Sequence, residues 1–419
     1  MENNKRSFKK GVIIGLIPGI LLTIIMSVAL IVNIFKADFK ALNYRLNPIN
    51  TMGEYEKTDL DFDKIRYKLE YLQNMVDKYY LFEKDPILIE DNIYKGLIRG
   101  LDDAYSEYYS KEELDAMLEA SSGTYYGIGV QVSQNMDTGI VTIVRVFVGS
   151  PAEAAGILPN DILHKANGED IFTMDINTVV SKIKGAEGTY VNIEIYRPST
   201  DEYIEMDVKR GKVEVDTTSH KMLTDKVGYI QLMEFDDVTY SQFMKAYEEL
   251  TLDGMQGLIV DLRGNPGGLL TSATDILDEI LPEGIILYTE DANGKGDEYR
   301  SNDSNQINIP MVVLINGSSA SASELFASAV KDFEWGTIVG TTSYGKGIMQ
   351  SIIPIGDGSG VKLTTGRFFT KSGEIIHGNG VAPDVEVELD EGLETQIEIA
   401  PEDDNQLQKC IEVINEKLQ

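Results

Sequence analysis

Met311-Val312-Val313-Leu314-Ile315-Asn316-Gly317-Ser318-Ser319-Ala320-Ser321-Ala322-Ser323-Glu324 opens with five consecutive apolar residues and runs on into small and polar ones. Apolar residues without alternation read as a strand buried on both faces, the habit of parallel sheets. The small residues then turn the chain, and a helix extends to about Asp332. A hydroxyl at such a strand-to-helix turn is exposed, lies near the positive end of the helix and has backbone N–H groups around it. Ser321 is therefore the candidate nucleophile, with an ordinary serine-rich helix cap as the alternative reading of the same residues.

Around this stretch apolar strands alternate with helices: Val227 to Leu232, a helix from Tyr240 to Leu250, Gly257 to Leu262, a helix from Leu270 to Ile280, and a strand from Thr337 to Gly340. The alternation predicts an α/β core between about Val213 and Glu388. Tyr344-Gly345-Lys346-Gly347 follows the last of these strands. A lysine between two glycines takes its cover from the surrounding fold. To accept a proton from a serine it must be neutral, which burial among apolar groups favours, so the site is expected to be dry and free of a close carboxylate. A solvated turn lysine is the alternative.

Upstream, from about Asp59 to Glu119, apolar residues such as Ile65, Leu69, Leu72 and Val76 recur at helical spacing. A second helix runs through Ile93, Leu97 and Ile98, the stretch Leu101 to Ser106 breaks it, and a third covers Lys111 to Ala120. From Gly123 the pattern turns to short β runs, Ile128 to Val132, Ile140 to Val146 and Val191 to Tyr196. One helix, about Met174 to Ile183, interrupts them, and the turns are of the type Asn167-Gly168. An acidic tail after Asp390 ends in a helix from about Gln406 to Leu418. The predicted divisions are 1–36, 37–120, 121–211, 212–390 and 391–419, a mixed α/β and α+β chain.

The net charge of -31 excludes a nucleic-acid binder, which needs clustered Lys and Arg. A single cysteine, Cys410, cannot form an internal disulfide, and His164, His220 and His377 stand far apart, so neither a metal nor a cofactor is expected. Lys5, Arg6, Lys9 and Lys10 precede the 25 uncharged residues from Gly11 to Phe35, and Lys36 closes the run. That length predicts a transmembrane helix. The positive flank places the N-terminus in the cytoplasm and everything after Lys36 outside, as a single-pass protein of the cell membrane. A cleaved secretory signal is the competing reading.

Ser319 to Glu324, Gly345-Lys346-Gly347 and Gln350 together resemble the carboxyl-terminal processing peptidases, or tail-specific proteases, and the 25-residue separation of Ser321 from Lys346 matches that family's spacing. The resemblance implies that Ser321 attacks the peptide, Lys346 deprotonates it and Gln350 orients the lysine. Asp261-Leu262-Arg263-Gly264-Asn265-Pro266-Gly267-Gly268 is the third motif, and it implies an oxyanion hole made by the amides of Gly267 and Ala322. Tyr125-Tyr126-Gly127-Ile128-Gly129-Val130 resembles the carboxylate-binding loop of PDZ domains, with Gly127, Ile128 and Gly129 binding a peptide end. The likeness spans roughly Leu72 to Val387, including Asn379-Gly380-Val381-Ala382-Pro383-Asp384. It departs at Tyr344, where Phe is usual, and at Lys184, where Arg is frequent.

The resemblance implies a membrane-anchored extracytoplasmic serine endopeptidase acting on proteins with exposed C-terminal tails, and it leaves a homo-oligomer open. A catalytically inert, membrane-tethered PDZ scaffold is the rival. Ser328 with Lys331 and Lys371-Ser372-Gly373 superficially resembles penicillin-binding enzymes, but the central Ser-x-Asn element is missing. Lys331 is expected to face solvent, His377 to be structural, and Asp332 to help pack the site.

Overall fold

The computed structural model describes residues 60–302, 304, 307–393 and 399–419. The segment predicted to span a membrane lies outside them, and no described helix is long and apolar enough to cross one. The chain divides into two units, one comprising residues up to 114 with 352–363, the other comprising 115–351 and 364–419.

In the first unit, helix α1 (Phe62–Tyr79) starts at Asp61, whose carboxylate accepts the Lys64 N–H. Helix α2 (Pro86–Arg99) starts at Asp85, with the proline at its first position, where no N–H is needed. Neither helix has a buried residue. The expected helical periodicity is present, yet Leu72 and Leu97 are exposed. Leu101 to Ser106 break the helix as expected, and strand β1 (Glu107–Tyr109), which carries no local sequence signal, pairs antiparallel with residues 360–362. Helix α3 (Lys111–Ser121) follows.

The second unit carries two cores. One is a sheet of five antiparallel strands, β3 (Val130–Gln134), β4 (Val141–Val146), β5 (Ile162–Ala166), β7 (Tyr190–Arg197) and β8 (Glu202–Lys209), in that order. The short β6 (Glu169–Asp170) adds to β5. Helices α4 (Pro151–Ala154) and α5 (Ile176–Ile183) cover it, and β2 (Thr124–Gly127) pairs with β9 (Gly211–Glu214) as the chain enters and leaves. Alternating residues Val191, Ile193 and Ile195 of β7 are fully buried, the period-two signature of a sheet with one face in the core.

The larger core is a sheet in the order β10 (Thr218–Met222), β11 (Val227–Leu232), β12 (Gly257–Asp261), β15 (Met311–Ile315), β16 (Gly336–Gly340), β19 (Val385–Glu386). Only β10 runs antiparallel. Helices α6 (Thr239–Leu252), α7 (Leu270–Ile280) and α8 (Ala322–Asp332) pack with one face of this sheet, and α9 (Asn405–Lys417) with the other. Every residue of β12 and β15 is buried, as uninterrupted apolar runs require when helices cover both faces. A second layer of strands, β13 (Gly284–Asp291), β14 (Glu298–Ser301), β17 (Ile348–Pro354) and β18 (Gly360–Thr370), completes the fold, β13 pairing with residues 366–370 of β18.

The two cores meet where Asp237 N–H donates to Ser121 O and Val215 N–H to Gly123 O. Asp236 is buried at this joint, and burial, with Glu234 and Asp237 adding to it, pushes its carboxyl up to about 7. The folded state therefore holds the Asp236 proton more tightly than the unfolded chain does, and stability falls as pH rises from about 4 to about 7. Asp236→Asn removes that penalty. It is expected to raise the melting temperature at pH 8 by on the order of 3 °C and to leave it unchanged at pH 4, in paired thermal melts. An equal shift at both pH values refutes the assignment.

Candidate active site

Ser321 sits between β15 and α8 with φ 55° and ψ -112°, a conformation few side chains adopt. Such strain persists only where the surroundings over-determine it. Here Ala320 N–H and the Ser323 hydroxyl both donate to Asn265 O, at 3.0 and 3.1 Å, and the Ser319 hydroxyl donates to Leu262 O at 2.8 Å. The serine turn is thus moored to the loop that leaves β12.

Glu324 does the remaining work. Fully buried one helical turn after Ser321, its carboxylate accepts four hydrogen bonds. Oε1 takes the Ser343 hydroxyl and the Gly345 N–H, each at 2.6 Å. Oε2 takes the Ser321 N–H at 2.8 Å and the Lys346 N–H at 2.7 Å. Because the last two bonds end on one atom, the backbone nitrogens of Ser321 and Lys346 lie within about 5.5 Å, the sum of the two distances. Tyr344 N–H to Ser319 O, at 3.0 Å, adds a further tie between the two loops. The expectation that no carboxylate stands close is therefore corrected: one lies between the two backbones, with its charge spread over four donors. Glu324 closes the Ser319 to Glu324 motif with no role assigned to it. The signal was there, since Ser-x-x-Glu at a helix start is the spacing at which a glutamate reaches back to the cap amide.

Lys346 and Ser321 are both half-buried. Gln350 lies on β17, where its amide donates to Thr364 Oγ1 at 3.4 Å. Ala322 begins α8, and Gly267 packs against the same turn, for a Cβ on it would fall 2.8 Å from Ser321 Cβ and 3.0 Å from Ala322 N. The Gly267 N–H donates to Asn265 Oδ1 at 2.8 Å. The Asn379 to Asp384 motif finds its reason nearby: Val381 N–H donates to Ser343 Oγ and Gly378 N–H to Gly345 O, which braces the lysine loop. His377 is exposed and its backbone abuts Gly347. Asp332 ends α8, roughly 16 Å along the helix from Ser321 by its rise, and accepts the Ser372 N–H, so it packs a distant turn instead of the site. Lys331 is not simply solvated, for it donates to Ala382 O and pairs with Asp384. Among the described residues no cluster of three or more His, Cys, Asp or Glu side chains could hold a metal ion.

In the smaller core, Tyr125, Gly127, Ile128, Gly129, Val130, Val132 and Val180, with Ile183 and Lys184, line a narrow groove of about 70 Å³ between β3 and α5. Within its sheet β3 pairs only with β4, so one edge is open to an added strand. Lys184 reaches over the Tyr125 ring at 4.8 Å and pairs with Glu119 of α3. Burial raises the Tyr125 hydroxyl to about 12.

A PDZ-like sheet joined to a mostly parallel α/β core, with a strained serine at a strand-to-helix turn and a lysine loop bonded to the same carboxylate, defines the class as a serine peptidase with a PDZ domain. Comparison agrees. Residues 226–387 match the profile of peptidase family S41, and residues 142–197 that of a PDZ domain. The chain is 36% identical over 332 residues to carboxy-terminal processing protease CtpA of Bacillus subtilis, covering 79% of this chain and 70% of that one. It is 33% identical to a carboxy-terminal-processing protease of Bartonella bacilliformis, over 74% and 72% of the two chains. A photosystem II D1 C-terminal processing protease of known structure shares 26% identity over 76% of this chain and 86% of its own, with a TM-score of 0.44. The chain belongs to peptidase family S41, a family of serine-type peptidases.

Proposed function

We propose that this peptidase uses a Ser321–Lys346 dyad to cleave proteins near their C-termini outside the cell membrane, tethered by the apolar segment from Gly11 to Phe35. One observation carries the dyad: the amides of both residues end on Glu324 Oε2, which holds the serine turn and the lysine loop together. Ser321 attacks the scissile carbonyl as Lys346, neutral in the resting enzyme, takes its proton. The tetrahedral oxyanion is met by the amides of Ala322 and Gly267, and water then resolves the acyl-enzyme. Gln350 orients the lysine. The groove between β3 and α5 delivers the tail by strand addition, with the amides around Gly127, Ile128 and Gly129 receiving its carboxylate. Self-association is supported by α1 and α2, which expose Phe62, Tyr67, Leu72, Tyr79 and Leu97 in place of a buried face.

The test compares wild type with Ser321→Ala and Lys346→Ala on a folded reporter bearing an unstructured apolar tail. Cleavage is expected in wild type alone, with an activating limb on the pH profile as Lys346 loses its proton. Equal behaviour of the three proteins supports instead an inert, tethered PDZ scaffold. Reporter release into the medium from intact cells, against membrane retention of the peptidase, tests the tether.

A further inference from the structure

Gly267 presents the wrong atom to the nucleophile turn for an oxyanion donor. Its Cα faces Ser321 and Ala322, as the short distances to a built Cβ record, while its N–H is engaged by Asn265 Oδ1 at 2.8 Å. Asn265 is fully buried, and each of its polar groups is used. Its Nδ2 donates to Leu232 O at 2.9 Å, its own N–H goes to Leu262 O, and its carbonyl receives Ala320 N–H and the Ser323 hydroxyl. The backbone of Asn265 thus moors the serine turn, and its side chain restrains the neighbouring amide.

We propose that Asn265 is a positioning residue that latches the oxyanion hole: its side-chain carbonyl holds the Gly267 amide in the resting enzyme, and the second oxyanion donor is released only when that bond opens. The inference rests on the proposed attack by Ser321. The Gly267 N–H belongs to the peptide that links Pro266 to Gly267, and Gly267, at φ 105° and without a side chain, has the conformational freedom for that peptide to turn. The exchange is favourable only once charge develops, because a bond to an oxyanion is roughly twice as strong as one to a neutral amide oxygen. A latched site offers a chance peptide one donor, the Ala322 N–H. Since a single such donor is worth about 10² to 10³ in rate, the latch keeps the peptidase slow until a well-seated substrate opens it.

Side-chain replacement leaves the backbone mooring in place, which makes the latch separable from structure. Asn265→Ala and Asn265→Ser in the full chain both lose the bond to Leu232 O, but serine keeps an oxygen able to accept the amide two residues on. Acylation by a tailed peptide ester is expected to run roughly 3- to 10-fold faster in Asn265→Ala than in Asn265→Ser, the worth of one neutral hydrogen bond, with similar KM and melting temperature. Equal rates, or a slower alanine variant, overturn the latch. If either variant fails to fold, wild-type chain labelled at glycine is titrated with a peptide boronic acid, which mimics the tetrahedral adduct. The Gly267 amide resonance is expected to shift on binding, and an unmoved resonance with the adduct formed refutes the proposal. Turnover surviving in Ser321→Ala removes the peptidase mechanism itself, a result distinct from loss of the latch.

Discussion

Glu324→Ala is expected to abolish cleavage and to cost the fold about 3–5 kcal/mol, because it orphans four donors at once. The Ser321, Gly345 and Lys346 amides and the Ser343 hydroxyl all end on this carboxylate. A methyl group in its place leaves a void at the start of α8 with polar groups on its walls, and the strained Ser321 backbone loses one of the contacts that hold it. Glu324→Gln is the sharper test. It fills the same space, but one end becomes an NH₂ facing two donors, so one pair of bonds is lost while the side chain remains. We expect Glu324→Gln to stay folded, with kcat down about 10²-fold and KM nearly unchanged, since the groove between β3 and α5 is remote in chemistry from this carboxylate. Steady-state kinetics with a circular-dichroism melt decides it. A Gln variant with wild-type kcat means that the four bonds serve folding alone.

Much of the peptidase core was legible in the chain. Val227 to Leu232, Leu270 to Ile280 and Met311 to Ile315 are found as read, because uninterrupted apolar runs and helical spacing are local signals. The break from Leu101 to Ser106 is found as read, but the three-residue β1 that follows it was not legible, since its pairing with residues 360–362 is invisible to any local window. The loops carrying Ser321 and Lys346 stood out as motifs, yet nothing local says what joins them. The joining atom belongs to Glu324, and its partners lie up to 22 residues away in sequence. Asn265 escaped notice for the same reason: its identity reads as a turn residue, and only the fold shows that its two amide ends bond to separate segments. Asp236 gave no signal either, for a run of acidic residues reads as solvated surface, and burial at the joint is a tertiary fact.

Arg263→Ala is expected to destabilise the peptidase core by about 3–5 kcal/mol, the usual cost of leaving buried charge without its partner. The guanidinium bonds Asp261 through Nε and Nη2 and Asp404 through Nη1 and Nη2, with Gln406 Oε1 as a further acceptor. Burial alone lowers its pKa, but the two carboxylates outweigh this and hold it above its ordinary value. Asp261 ends β12 and also accepts the Tyr229 hydroxyl, whereas Asp404 caps α9 by accepting the Leu407 N–H. Arg263 thus fastens the helix whose Leu407, Cys410 and Ile414 cover Ile259, Val312 and Leu314 of the sheet. Removing it leaves two buried carboxylates in mutual repulsion and loosens that cover. A melting temperature lower by roughly 10 °C at pH 7.5 is the expected result. Arg263→Met separates charge from packing, since it keeps an apolar stem without the guanidinium: a deficit equal to that of Arg263→Ala assigns the loss to charge, and recovery to wild type assigns it to packing of the stem. Arg263→Lys is expected to recover only part of it, since an ammonium cannot bridge two carboxylates with paired bonds.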